Sequence, residues 1–333
     1  MPNLYKYLLR PVLFTLQAET AQKLAESTLQ VEPLWKSLAP YLNLDDPALR
    51  TEWCGFQLKN PIGLAAGFDK ECRLLPSLSH WGFGYLVAGT VTAEAKPGNP
   101  RPRMFRNKSD KSLVNALGFP GRGLIEARRE LEGARNKIID TPIVVSVSGT
   151  VISDVVNCYQ SVEPLADAIE INISSPNTKG LRIFHKSDSL SKLLYEINQV
   201  RNKPLIVKLP PYTSEHLNEP DGILSLVRTC RNSGVDGLTI SNTQPVKDDR
   251  LSVKEGGLSG RPLYTKMLNL VRDARKEVGP GMAINACGGI FTGYHALQAM
   301  EAGATTVQIY TGIVFRGPRI VKHIKEEMLN RDK

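Results

Sequence analysis

The sequence predicts an α/β protein, a (β/α)8 barrel of the TIM type preceded by a small helical extension. Three observations predict it. From about Thr51 onward, eight short apolar strands alternate with helical segments. Several of those strands end abruptly in amides, hydroxyls and lysines, and a chain of 333 residues with 41% hydrophobic content can bury one large core. Strands alternating with helices build a parallel sheet, eight of them close it, and such barrels gather their chemistry at the carboxyl ends of the strands. A barrel commonly takes ~250 residues as one domain. The division that follows is residues 1–45 as a helical extension and 46–333 as a catalytic barrel.

In the extension, Leu4, Tyr5, Leu8, Leu9, Val12, Leu13, Phe14 and Leu16 lie close to helical spacing, interrupted by Lys6, Arg10 and Pro11. Leu24, Ala25, Thr28 and Leu29 repeat the pattern. These apolar runs fall far short of the ~20 residues that span a bilayer, and no signal-peptide pattern precedes them. Two amphipathic helices with cations beside the apolar face suit an anionic membrane surface. They suit a cap packed on the barrel equally well, and pattern alone leaves both open.

The strands are placed near 61–66 (PIGLAA), 85–91 (YLVAGTV), 143–148 (IVVSVS), 168–173 (AIEINI), 204–209 (PLIVKL), 236–241 (DGLTIS), 282–287 (MAINAC) and 305–310 (TTVQIY). Between the fourth and fifth, Leu190, Leu193, Leu194, Ile197 and Val200 make one apolar helix face, with Ser187 and Asp188 expected as caps. Gly234 and Gly303 stand where glycine ends a helix before a strand. Two connections are long, roughly 92–142 and 242–281, and insertions of that size build over an active-site face.

Composition excludes several classes. Five cysteines form no CxxC pair and five histidines form no HxxxH spacing, which argues for reduced thiols and against a metal site. A formal charge of +9 serves nucleic acid, anionic lipid or anionic small molecules alike. Without an aromatic-interleaved basic tract, no nucleic-acid partner is expected.

The strand ends carry the chemistry. After the first come Ala66, Gly67 and Lys70, and after the second Thr90. The fourth runs into Asn172, Ser174, Ser175, Pro176, Asn177 and Thr178, the fifth into Lys208, and the sixth into Ser241, Asn242 and Thr243. Gly288 and Gly289 follow the seventh, and Tyr310, Thr311 and Gly312 the eighth. Glycines 260, 289 and 312 fall in connections expected to meet at one edge, where barrels hold a phosphate with backbone N–H groups. Lysines ending apolar strands are costly unless they face an anion or a polarised carbonyl, such as the negative region of a reduced flavin.

The motifs INISSPNTKGLR, AAGFDK, GNPRPRMFR, NALGF, IVKLPP, SNT, GGLSGRPL, CGGI and VQIYTG occur in this chain. Together they resemble the quinone-dependent (class 2) dihydroorotate dehydrogenases from about residue 50 to the C-terminus. The two N-terminal segments resemble that class's membrane-associating, quinone-admitting helices. The resemblance implies FMN over the carboxyl face of the barrel, dihydroorotate and its product orotate as ligands, and a membrane quinone as electron acceptor in pyrimidine biosynthesis. It places the enzyme peripherally on the cytoplasmic side of the cell membrane, on an anionic surface, with no obligatory protein partner.

Residue by residue, Ser175 matches the family's catalytic base, with Thr178 and Phe119 at positions associated with a bound water. A serine there, where the soluble class has cysteine, implies quinone as acceptor. Asn115, Ala116, Leu117, Gly118, Phe119, Asn172, Asn177, Asn242 and Thr243, with Lys70, match the substrate site. Ala66, Gly67, Lys70, Thr90, Asn172, Lys208, Ser241, Gly260, Gly289, Tyr310 and Thr311 match FMN contacts, and Arg106 matches an arginine near the quinone passage. The chain departs from the pattern at VVSVSGT, which puts Ser146 where the family has a flavin-touching asparagine and lacks the lysine nearby. Gln22 stands at a family histidine position, and IVKLPP lacks the acid that commonly follows its lysine. Ser146 keeps an alternative open, a related FMN barrel with another substrate or acceptor. A non-enzymatic ligand-binding paralogue is the other.

Overall fold

A two-residue turn begins the barrel. The computed structural model describes residues 4–138, 140–175, 180–212 and 222–330. In it β1 (Thr51–Trp53) and β2 (Phe56–Leu58) form a hairpin through Cys54 and Gly55, both at positive φ, the pairing that two-residue hairpin turns favour. The hairpin plugs the amino-terminal end of the barrel. Trp53 is buried and stacks on Tyr85 with ring centroids 4.6 Å apart.

The chain then lays down β3 (Ile62–Asp69), β4 (Tyr85–Val91), β5 (Met104–Asn107), β6 (Ser112–Asn115), β7 (Ile143–Val147), β8 (Ala168–Asn172), β9 (Leu205–Lys208), β10 (Gly237–Ile240), β11 (Gln244–Lys247), β12 (Glu255–Gly260), β13 (Ala283–Cys287) and β14 (Thr306–Ile309). Eight of them, β3, β4, β7, β8, β9, β10, β13 and β14, close a parallel barrel in chain order, β14 pairing back on β3. These are the eight strands the sequence predicted. They are nearly all buried because helices cover the outside while side chains fill the inside.

The helix Ser187–Asn198 buries Leu190, Leu193, Leu194 and Ile197, the face the spacing predicted. Its expected caps are a correction. Neither Ser187 nor Asp188 caps it: the N-cap is Lys186 without a side-chain bond, and Ser187 Oγ meets Ser225 Oγ at 2.6 Å. Gly234 and Gly303 do sit in left-handed backbone at helix ends.

The two long connections meet over the barrel mouth. The antiparallel sheet β11-β12-β6-β5 draws two strands from each, with Asn115 in register with Gly257 and Met104 with Asn115. The loop before β5 is braced by Arg103, whose guanidinium donates to the carbonyls of Pro97 (2.9 Å) and Asn99 (3.0 Å) and, through Nε, to Glu19 (3.0 Å).

The extension is helical at Tyr5–Leu9, Arg10–Leu13, Ala18–Leu29 and Glu32–Leu42. It caps the barrel on one side: Leu29 and Leu42 join the main core, Trp35 packs on Trp81 at 5.1 Å, and Glu26 pairs with Arg73. On the other side Leu4, Tyr7, Leu8, Leu9, Val12, Leu24, Val31, Leu34 and Tyr41 stay exposed. No helix among the described residues is long and apolar enough to cross a membrane.

Candidate active site

A cavity of about 160 Å³ opens at the carboxyl end of the barrel. Its floor and walls come from strand ends: Ala66, Gly67 and Lys70 beyond the core of β3, Thr90 on β4, Asn172 and Ser175 at β8, and Lys208 on β9. Ser241, Asn242 and Thr243 follow β10, while Gly289, Tyr310 and Thr311 follow β13 and β14. The antiparallel sheet contributes Asn115 and Gly260, and Leu117, Gly118 and Phe119 form a lip.

The amides at β8 and β10 hold one another. Asn172 Nδ2 donates to Thr90 Oγ1 at 3.1 Å, and Asn172 Oδ1 accepts from the backbone N–H (3.1 Å) and hydroxyl (3.0 Å) of Ser174. Asn242 Nδ2 reaches Ser174 Oγ at 2.9 Å, and Asn242 Oδ1 accepts from the Thr243 N–H at 2.7 Å. These bonds fix the amides before a ligand arrives, so less ordering is left to binding.

The lip is held from behind. Asn99 Nδ2 donates to the Ala116 carbonyl at 2.9 Å, and the Asn99 N–H to the Leu117 carbonyl at 3.0 Å. Phe119 sits at φ 52°, a left-handed conformation that a bulky residue adopts only where its surroundings impose it.

Opposite, glycine makes the wall. Gly260 (φ +99°) and Gly289 (φ +72°) occupy left-handed backbone, where a Cβ on Gly260 would lie 2.4 Å from the Lys111 carbonyl and one on Gly289 2.8 Å from Tyr264 Cβ. Only glycine fits, so the backbone itself faces whatever the cavity holds.

Two lysines give the cavity its charge. Burial pushes the Lys70 ammonium below the usual lysine value, with Glu26 opposing that shift. Burial acts the same way on Lys208, but coulombic attraction from Cys287, in its thiolate form, and from the Glu170 carboxylate outweighs it and holds Lys208 above that value.

Comparison with known proteins identifies the family. The family model for dihydroorotate dehydrogenase matches residues 48–331. The chain belongs to the dihydroorotate dehydrogenase family. It is 36% identical over 353 aligned positions to the dihydroorotate dehydrogenase (quinone) of Roseiflexus sp. (strain RS-1), covering 99% of this chain and 95% of that protein. To the protein of the same name from Thermus thermophilus it is 37% identical over 320 residues, covering 92% and 91%. The crystal structure of DHODH from Eimeria tenella in complex with ferulenol superposes with a TM-score of 0.80 at 30% identity, covering 93% of this chain and 91% of that one. This is an enzyme family, and the fold is its barrel.

Two residues expected at the site, Ser146 and Ala116, stand apart from the cavity lining, and Arg106, expected near the quinone passage, lies against the extension. Ser146 is fully buried one layer behind it, its Oγ 3.1 Å from Thr90 Oγ1, so it meets the cavity only through Thr90. Ala116 faces away, buried against Val114 and Leu251. Arg106 lies on β5, donating to the Leu13 (2.9 Å) and Leu16 carbonyls with its guanidinium 4.6 Å from the Phe14 ring centroid. It ties the sheet to the extension. Asn177, with Thr178, lies outside the described residues.

The structure adds lining residues that sequence reasoning missed, among them Ser259, Cys287 and Gln308. A period-2 count would have found one of them: Gln308 stands two residues before Tyr310. Among the described residues, no three His, Cys, Asp or Glu side chains cluster to hold a metal.

Proposed function

We propose that this enzyme oxidises dihydroorotate to orotate, with FMN held in the barrel-mouth cavity and a membrane quinone as final electron acceptor, as a step of de novo pyrimidine biosynthesis. The observation that carries the reading is the convergence of Ser175, three asparagines and two lysines on one cavity walled by glycine backbone.

The chemistry of the lining supports FMN. Gln308 Oε1 is buried in its lining without a hydrogen-bond partner among the described residues, which calls for a donor such as a ring N–H. Lys208, 4% exposed, would face the ring's electron-rich edge, while Gly260, Gly289 and Thr311 would hold the phosphate end. When bound, FMN supplies the two-electron acceptor that the side chains lack.

The chain's own residues do the rest. Asn115, Asn172 and Asn242 present both donors and acceptors, which suits the alternating N–H and C=O edges of a pyrimidine. Ser175 Oγ would take the proton from substrate C5, passing its own hydroxyl proton on to water, while C6 gives up its hydrogen with two electrons to the flavin, and Lys70 would balance the substrate's charge. Leu117 and Phe119 close the lip and exclude water. Ser146, which motivated a different substrate, lies outside the cavity lining, so no observation favours that alternative.

The test is an anaerobic visible spectrum of the purified protein. A yellow protein whose flavin band bleaches on adding dihydroorotate alone is expected; a yellow protein that does not bleach would sink the substrate assignment.

The exposed apolar side chains of the extension support peripheral binding at the cytoplasmic face of an anionic membrane, where quinone resides. Leu8 and Val12 are 60% and 64% exposed, so their loss removes no core packing. The double variant Leu8→Glu, Val12→Glu is expected to bleach normally with dihydroorotate yet lose about a hundredfold or more in turnover with a long-chain quinone in anionic vesicles, since each buried leucine or valine contributes roughly 1.5–3 kcal/mol. Equal vesicle binding and turnover would refute membrane attachment through this face.

A further inference from the structure

Inside the barrel, below the cavity, a buried acid stands in a position where most barrel interiors carry branched apolar residues. Glu170 is fully buried on β8, on the inward face between Ala168 and Asn172. It ends a chain of hydrogen bonds that begins at the hairpin plug. Trp53 Nε1 donates to Asn285 Oδ1 at 2.6 Å, Asn285 Nδ2 donates to Thr239 Oγ1 at 3.2 Å, and Thr239 Oγ1 donates to Glu170 Oε2 at 2.7 Å. Every donor in this chain points toward Glu170 Oε2, while Oε1 is buried without a hydrogen-bond partner among the described residues, and bonds aligned in this way strengthen one another.

Above Glu170 sits Lys208. Strand register pairs Ile206 with Glu170 and Lys208 with both Asn172 and Thr239. Lys208 therefore stands one inward step higher, ~7 Å along the strand at 3.3 Å per residue. Thr239, the donor to Glu170, is directly opposite it. The lysine is 4% exposed and lines the cavity floor. A buried cation of this kind needs a compensating negative charge, and among the described residues Glu170 is the carboxylate that acts on it, beside the Cys287 sulfur.

We propose that Glu170 is a positioning residue that shares the charge of Lys208 from beneath, and so holds down the reduction potential of the flavin on the cavity floor. The inference rests on the FMN assignment above. A lysine already partly neutralised from below stabilises negative charge on its other side less than a free one. In a low-dielectric interior that difference is not screened away. The consequence suits an enzyme that must hand its electrons onward, because a lower potential makes the reduced cofactor the better donor.

The test is an equilibrium redox titration of flavin-loaded wild type, Glu170→Gln, Glu170→Val and Glu170→Asp. E170Q keeps the shape and the acceptor for Thr239 but loses the charge. Its midpoint potential is expected to rise by an amount equal to a tenfold change in the ratio of reduced to oxidised flavin, which is about 30 mV for a two-electron couple. E170V, which loses the hydrogen bond as well, is expected to move the same way, and E170D, which keeps the charge, to stay near wild type. A purely structural role would show instead as lowered thermal stability in E170V with an unmoved potential. Unmoved potentials in both neutral variants, or a shift in E170D as large as in E170Q, would overturn the inference while leaving the FMN assignment standing. Wild-type protein that takes up no flavin would overturn both.

Discussion

Ser175→Ala is expected to lower the rate of flavin reduction by dihydroorotate about 10²–10⁴-fold, the usual contribution of a general base, while FMN and orotate still bind. Two adjacent serines lie at the end of β8, and their places separate their roles, Ser174 behind the amides and Ser175 in the cavity lining. The Ser174 hydroxyl is committed: it donates to Asn172 Oδ1 and accepts from Asn242 Nδ2, and the residue is 3% exposed. Ser175, the next residue, lines the cavity. The strand end that presents it is pinned, since Ser148 Oγ donates to the Asn172 carbonyl at 2.7 Å. Ser174→Ala should therefore disturb the amides and weaken orotate binding, whereas Ser175→Ala should leave binding and melting temperature unchanged and remove the proton transfer. Stopped-flow bleaching and orotate-induced spectral shifts separate the two. Full-speed bleaching in Ser175→Ala would end its assignment as the base.

The barrel was legible because each of its strands is a continuous apolar run ending in polar residues, the pattern that burial on both faces and an exposed carboxyl end require. The sheet over its mouth was not. Its strands are four to six residues long, and β12 reads EGGLSG, a composition that looks like loop until β6 and β11 supply its partners. The helix Glu32–Leu42 was hidden by Pro33 and Pro40, although a proline in the first turn costs no hydrogen bond. Site residues at strand ends were easy to name because the fold brings such ends together. Ala116 and Ser146 show the limit: a motif match gives the position in the chain, while strand alternation and packing decide whether the side chain meets the cavity. The extension shows another limit. Amphipathic spacing could not choose between cap and membrane face, since one side packs on the barrel through Leu29 and Leu42 while Leu8 and Val12 on another remain exposed.

Arg103→Met is expected to destabilise the protein by about 3–5 kcal/mol, the range for breaking a buried charge pair from one side. Arg103 is 8% exposed and serves three partners at once: the Pro97 and Asn99 carbonyls and the Glu19 carboxylate on the helix Ala18–Leu29. Methionine fills much of the volume but donates to none of them. Gly98 packs so closely under the guanidinium that a Cβ there would lie 2.4 Å from it, and although Arg101 Nε still faces Glu19 Oε1 at 3.4 Å, the two carbonyls lose their donor. The loss should fall on two elements together. The extension loses an anchor, and the loop carrying Asn99 loosens its grip on the Ala116 and Leu117 carbonyls, which hold the lip of the cavity. A melting temperature lower by roughly 10 °C should accompany a raised KM for dihydroorotate with little change in kcat. Glu19→Gln, which spares the two carbonyl bonds, should cost less stability and leave KM near wild type. If Arg103→Met lowers stability without touching KM, Arg103 anchors the extension only, and the lip holds its shape through Asn99 alone.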